Sequence, residues 1–158
     1  MPSIRVPYFR ALTGSNFSVN RYKNQPLLTI GLLGENGSLS KVQSYIDTGS
    51  QWCLFDKQYA KHLGINNYRT TNELVHIVGV GGKTPQNIAY FHEITLVIFK
   101  NNKDMDTENA YKIKTKIGFL EKEICMAGVL GVYGFLDHFA FVANIPKGYF
   151  ELNPQFDD

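Results

Sequence analysis

Ser44-Tyr45-Ile46-Asp47-Thr48-Gly49-Ser50-Gln51-Trp52-Cys53-Leu54-Phe55 joins an apolar strand end to a second apolar stretch through a short polar turn. A carboxylate placed between two apolar stretches is expected to sit in a partly buried turn. There it needs donors or a partner, because an unpaired buried charge is expensive. Gly49 lets another backbone approach and presents an N–H to the Asp47 carboxylate. The Ser50 hydroxyl is expected to add a second hydrogen bond to it. Asp-Thr-Gly alone is weak, since an Asp-Ser/Thr-Gly triplet arises by chance in about 5–10% of chains this long. An Asx turn without chemistry explains the triplet equally well on this stretch alone.

Upstream, Leu27-Leu28-Thr29-Ile30 opens an apolar run that breaks at Gly34-Glu35-Asn36-Gly37-Ser38. Asn-Gly tolerates positive φ and marks a hairpin, so the next strand runs up to Ile46. Residues 1–25 read as an arm or edge segment, and 26–158 as one domain. Downstream, Asp56 is placed to cap a helix through Tyr59, Ala60 and Leu63 that Gly64 stops. Leu74 to Val80 is β-rich, with Gly79, Gly81 and Gly82 at a probable turn. Ile94 to Phe99 is a strand, and residues 100–109 form a polar loop. Tyr111, Ile113, Thr115 and Ile117 alternate with Lys112, Lys114 and Lys116, giving a half-exposed strand with a lysine face. A glycine-punctuated apolar segment follows, Gly128 to Gly134, then a short helix over Phe135 to Phe139 and a hairpin at Pro146-Lys147-Gly148. Short strands, turns and one or two short helices predict a mostly-β domain.

The 158 residues fit one domain with a self-sufficient core. Hydrophobic residues at 44% and charged residues at 19% argue against disorder. A net charge of +2 gives no reason to expect nucleic acid or a membrane surface as partner. No stretch approaches a membrane span and no apolar signal core opens the chain, so a cytoplasmic protein is the expectation. Cys53 and Cys125 lack metal-type spacing and read as two buried free thiols. His62, His76, His92 and His138 are scattered, so neither a metal nor any other cofactor is expected. The glycines at 79–82 lack the spacing of a phosphate loop. Trp52 and the many Phe and Tyr residues read as core or dimer interface.

Three separated segments carry a resemblance. Ser44 to Ser50 is similar to the apolar strand and Asp-Thr/Ser-Gly-Ala/Ser of the retropepsin-like aspartic peptidases, the family of retroviral proteases and their cellular and bacterial relatives. Ile77-Val78-Gly79-Val80-Gly81-Gly82 resembles that family's flap tip. Gly128-Val129-Leu130-Gly131 resembles the apolar-apolar-Gly motif that braces the catalytic loop through a ψ-shaped strand crossing. Phe55 to Ile65 is similar to the helix that many bacterial relatives carry after the active-site loop. Gly134 to Phe139, Phe141-Val142 and Tyr149 to Leu152 look like their C-terminal ending. The resemblance covers residues 26–152 and implies a closed, retropepsin-like β-barrel. One departure is the stretch from Lys100 to Cys125, which is longer than in compact viral enzymes and is expected to cover or reshape the end of the cleft.

The resemblance implies an aspartic endopeptidase with Asp47 as catalyst. Thr48, Gly49, Ser50, Leu130 and Gly131 would support the loop, and residues 77–82 would close over substrate. Such catalysis needs two carboxylates sharing one proton, and this chain supplies one. Asp106-Thr107 continues with Glu108, not glycine, and Asp137 lies in the expected C-terminal helix. The implied partners are therefore a second copy of the chain, related by a twofold axis, and a peptide or protein substrate. A Ser50 bond to the carboxylate would lower the first apparent pKa of the pair. The alternative is the same fold as a non-catalytic dimerisation or peptide-binding module, in which Asp47 has no use. A β-domain with an accidental Asp-Thr-Gly is a third reading, which the order of the three motifs disfavours.

Overall fold

The computed structural model describes residues 1–12, 22–79, 87–124 and 128–156. Strand β4 (Leu27–Leu33) turns at residues 34–38 into β5 (Leu39–Ile46), with Leu33 opposite Leu39. The Asn36 side chain accepts from Ser38 N at 3.0 Å, so the turn closes as its sequence predicts. Next come β6 (Leu54–Asp56), helix α1 (Gln58–His62), β7 (Leu74–His76), β8 (Ile88–Phe99), β9 (Ala110–Leu120) and β10 (Gly128–Leu130). These strands form one sheet in the order β4-β5-β10-β6-β9-β8-β7, and a β4–β8 pairing closes six of them into a barrel. The closed, mostly-β barrel that the sequence implies is present.

Strand β8 is double the length that residues 94–99 suggested. Its second half closes the barrel, with Val97 opposite Gly31. Its first half pairs with β7, Ala89 opposite Val75, and forms the two arms of a hairpin that rises from the barrel. Period-2 alternation over residues 88–93 is blurred by His92 and Glu93, which hid this half. Strand β9 reads as expected at its start, with Tyr111 and Ile113 buried and Lys112 and Lys114 exposed, but runs three residues past Ile117. The stretch from residue 100 is therefore mostly a barrel strand. Its polar loop, residues 101–109, lies where Phe99 faces Ala110, the end of the ladder away from Ala89 and Leu120. That separation is about 33 Å at the rise of a strand, so residues 101–109 stand away from the hairpin end, whereas Ile124, after β9, packs there against the cluster of Leu54, Ala89, Phe91 and Leu120.

Helix α1 ends where Gly64 adopts φ 88°. Asp56 stands one position before the helix cap and accepts Gln58 N at 2.9 Å. The C-terminal helix is a single 3-10 turn, Leu136–His138, leading into β11 (Phe139–Asn144). After a turn at residues 145–148, β12 (Tyr149–Pro154) pairs with β11 on one side and with β1 (Ile4–Pro7) on the other. Strands β2 (Phe9–Leu12) and β3 (Tyr22–Gln25) form a separate ribbon.

The barrel interior is filled by Leu28, Ile30, Leu32, Val42, Leu96, Ile98, Ile117 and Phe119, joined to Phe135 and Phe150 at one end. A second, smaller cluster of Leu54, Ala89, Phe91 and Leu120 lies at the hairpin end. Val75 and Ile77 from the hairpin, with Trp52 and Val129, pack against it.

Candidate active site

The loop after β5 is shaped by a strand that arrives much later. Strand β10 runs parallel to β5, Leu130 beside Ile46, and antiparallel to β6, Gly128 beside Phe55. It therefore threads between the two strands that Asp47-Thr48-Gly49-Ser50 connects, which is the ψ-shaped crossing. Asp47 N donates to Leu130 O at 3.0 Å as the chain leaves β5. On the far side, Val132 N donates to Ser50 O at 2.9 Å and Tyr133 N to Gln51 O at 2.8 Å. The loop is thus tied at both ends to the residues flanking Gly131.

Gly131 is buried, and a Cβ there would lie 2.3 Å from Trp52 O and 2.7 Å from Ser50 O. Only glycine lets the two backbones meet this closely. Gly128 is constrained by a side chain instead, because a Cβ would fall 2.4 Å from the buried Phe55 ring. The glycine spacing of the Gly128-Val129-Leu130-Gly131 segment is thus a packing requirement of the crossing.

Asp47, Thr48 and Gly49 are exposed at the turn. Asp47 Oδ1 accepts Gly49 N at 2.9 Å. That bond alone does not single out a catalyst, since Asp56 and Asp106 accept the N–H two residues on in the same way. Asp47 is set apart by standing on the strand crossing. The other described aspartates fall elsewhere. Asp106 lies in the distal loop, Asp104 accepts from Asn101, and Asp137 accepts Gly134 N through both oxygens. Among the described residues, the Thr48 hydroxyl finds no partner within the chain.

Ser50 departs from expectation. Its hydroxyl donates to Trp52 O at 2.8 Å and not to the Asp47 carboxylate. The carbonyl two residues ahead is within reach of a turn serine. The hydrogen bond that the sequence predicts between Ser50 and the carboxylate is not formed. Ser50 holds the exit of the loop instead.

Of the expected flap, Ile77 is half-buried on the smaller cluster, Val78 is 63% exposed, and Gly79 is exposed. Val80, Gly81 and Gly82 lie outside the described residues. Ile77 N donates to Asn87 O and Asn87 Nδ2 to Ile77 O, both at 2.8 Å, clasping the two arms together.

No protein-family profile matches the sequence, and no curated protein matches it. Solved structures do. A retropepsin-like aspartic protease from Rickettsia conorii superposes with a TM-score of 0.53 over 96% of this chain and 90% of that one, at 16% identity. The fold is retropepsin-like. The retroviral protease-like domain of Ddi1 from Leishmania major gives a TM-score of 0.46 at 13% identity, over 84% of this chain and 96% of that one.

Within this fold the smaller apolar cluster is flanked by Val75 and Ile77 of the hairpin and by Trp52, which follows the Asp47 loop. Beside it is a cavity of about 510 Å³, walled by the apolar Trp52, Leu74, Val75, Phe91 and Tyr133 and the polar Asn72, Glu73 and Lys116. The sequence placed Trp52 and its fellow aromatics in the core or an interface and did not assemble this wall. Its members come from five separate segments, and only the barrel closure brings them together.

Cys53, next in the chain, is fully buried behind the loop, and its thiol contacts Tyr133 O at 3.4 Å. Burial pushes its pKa up to about 12, with Asp137 adding to the rise against a lowering contact from Gly131 O. Cys53 is an inert packing residue; Cys125 lies outside the described residues. Among those described, no group of three or more His, Cys, Asp or Glu could hold a metal ion, and no helix is long and apolar enough to cross a membrane.

Proposed function

We propose that this chain is an aspartic endopeptidase that works as a twofold homodimer, one Asp47 coming from each subunit. The observation that carries the reading is the placement of Asp47 on an exposed loop held at both ends by the strand crossing. Among the described residues the loop presents an exposed carboxylate and a threonine hydroxyl with no partner in the chain, which is half of a two-carboxylate site. A second copy across a twofold axis completes it.

In the dimer, two Asp47 carboxylates would flank one water. Two such close charges cannot both ionise, so the pair holds one proton. The ionised member takes a proton from the water as it attacks the scissile carbonyl. The protonated member hydrogen-bonds the carbonyl oxygen and stabilises its developing charge, then passes its proton toward the leaving nitrogen. Gly49 N–H holds Oδ1 and fixes the carboxylate plane. Thr48 would bond across the axis. The substrate would lie extended beneath the hairpin, paired through main-chain hydrogen bonds as an added strand. Gly79 and the glycines after it would let the tip approach the substrate backbone.

The test is Asp47→Asn, which keeps the shape and removes the charge. Cleavage of a denatured protein should fall by at least about 10²-fold, while sedimentation still reports a dimer. Cleavage that survives the substitution would refute the catalytic assignment. A folded chain that stays monomeric at high concentration while cleaving would refute the shared site.

A further inference from the structure

Strand β7 is an edge strand of three residues, too short to fix the outer arm of the hairpin by its own ladder. Successive residues of β8 and β9 point to opposite faces of their ladder. Ala89, Phe91 and Leu120 face the smaller cluster. Tyr90, His92, Phe119 and Glu121 therefore take the other face, and the chain between α1 and β7 passes over them.

Glu121 is the hub of that face. Its N–H carries the ladder one residue past β9, donating to Ile88 O at 2.9 Å. Its carboxylate accepts Tyr68 OH at 2.8 Å and Arg69 Nε at 2.9 Å on Oε2, and Arg69 Nη2 on Oε1. Its carbonyl accepts Lys57 Nζ at 3.0 Å, at the start of α1. The Tyr68 ring meets Tyr90 edge-on at 5.6 Å. The Tyr68 carbonyl can only accept, so His92 Nε2 donates to it at 2.6 Å.

Residues 67–71 are a compact turn held by its own bonds. Arg69 N donates to Asn67 Oδ1 at 3.1 Å, Thr70 N to Asn67 O at 3.0 Å and Thr71 N to Arg69 O at 2.9 Å. The turn moves as one block, and β7 leaves directly from it. Tyr68 and Arg69 fasten the block to the end of β9, and the Thr71 hydroxyl fastens it to Phe91 O at 3.1 Å. Arg69 is 56% exposed and Glu121 22%, so the pair adds little to global stability. Its geometry is more demanding. Two parallel bonds from one guanidinium, joined by a phenol, fix direction as well as distance.

We propose that Arg69 and Glu121, together with Tyr68, clamp the root of the hairpin and are positioning residues for substrate binding. The inference rests on the peptidase reading above for what the hairpin covers. With the clamp closed, the outer arm leaves the barrel in one direction. With it open, the arm samples others, and affinity falls by the fraction of arms out of place. That loss appears in KM and leaves kcat unchanged, because chemistry at Asp47 follows seating of the arm. A variant that only loses part of its folded population does the reverse: kcat per chain falls and KM holds.

The experiment joins kinetics, on a peptide copied from a cut site in a denatured protein, to hydrogen exchange. Arg69→Ala and Glu121→Gln should raise KM at least about threefold with kcat within about twofold of the parent. Amides of residues 74–77 and 88–91 should exchange at least about threefold faster, and those of residues 94–99 at the parent rate. Arg69→Lys keeps the charge without the fork and should recover part of the loss. The control is Lys114→Ala, which breaks an exposed pair between the same two strands, Lys114 Nζ to Glu93 Oε1 at 2.9 Å, and should change neither readout. Unchanged KM or unchanged exchange in Arg69→Ala and Glu121→Gln overturns the clamp. So does a KM rise that Lys114→Ala reproduces, or exchange that quickens alike across the whole domain. If the parent protein cleaves nothing, the peptidase reading fails, and exchange alone decides the clamp.

Discussion

Replacing Gly131 with alanine adds one methyl group, yet it strikes the joint on which the Asp47 loop depends. The new Cβ would lie 2.3 Å from Trp52 O, 2.7 Å from Trp52 C and 2.7 Å from Ser50 O, all backbone atoms that cannot rotate away. One of the two segments must move by about 1 Å to restore ordinary contact. That movement lengthens the bonds from Val132 N to Ser50 O and from Tyr133 N to Gln51 O. Each lost bond costs about 1 kcal/mol, and forced overpacking adds about 1–3 kcal/mol. The expected loss is about 3–5 kcal/mol, a third or more of the stability of an ordinary domain. For a domain this size that lowers Tm by about 6–20 °C. The assay is urea unfolding followed by circular dichroism, with thermal melts alongside. The control is Gly79→Ala, where a Cβ would meet nothing within 4 Å, and where Tm should change by less than about 2 °C. If Gly131→Ala melts within 2 °C of the parent protein, about the shift expected of a neutral surface change, the bracing argument is wrong.

Three further outcomes are expected. With Cys125→Ser as background, the Cys53 thiol should resist thiol reagents at pH 8 until urea unfolds the chain; its folded pKa of about 12 against a reference of 9.0 also means that its contribution to stability is complete below pH 9 and declines as pH rises toward 12. Arg69→Ala removes the first cause of Glu121's lowered pKa, about 2 against an ordinary 4.5; a depressed carboxylate stabilises above its unfolded pKa and ceases to as pH falls through its folded one, so the deficit of the variant, small for a solvent-screened pair, should be present at pH 6 and vanish near pH 2. A deficit that is constant with pH would show that Arg69 acts through packing. Ser44 is fully buried and its hydroxyl has no partner among the described residues, so Ser44→Ala should leave stability unchanged or raise it by up to about 1 kcal/mol in urea titrations, and a fall of 2 kcal/mol or more would reveal a hidden bond.

Local chemistry was the legible part of this chain. The Asn36-Gly37 turn, the end of α1 at Gly64 and the lysine face of β9 follow from residues within a few positions of one another. The strand crossing was legible for a different reason. Gly131 is demanded by the backbone of Ser50 and Trp52 and Gly128 by the Phe55 ring, so the crossing leaves a spaced pair of glycines beside apolar residues, the motif that carried the resemblance. What failed to show were properties set by distant neighbours. The first half of β8 carries His92 and Glu93 because its two edges serve different partners, the hairpin arm and β9, and no simple alternation describes it. The Ser50 hydroxyl could reach either the carboxylate behind it or the carbonyl ahead, and only the conformation of the exit decides. The aromatic wall is made of Trp52, Phe91 and Tyr133, which lie too far apart in the chain for any spacing rule to join them.

The threading of β10 between β5 and β6 has a consequence for the life of the chain before it is folded. Every residue of the Asp47 loop is synthesised before strands β6 to β9, and the strand that shapes the loop, β10, only after them. Until Leu130 and Gly131 slot into place, the loop has nothing to hold it. Such long-range closure is slow relative to hairpin formation. A half-made chain therefore carries the chemical group without the geometry. On the peptidase reading proposed above, activity is withheld by connectivity itself until β10 docks.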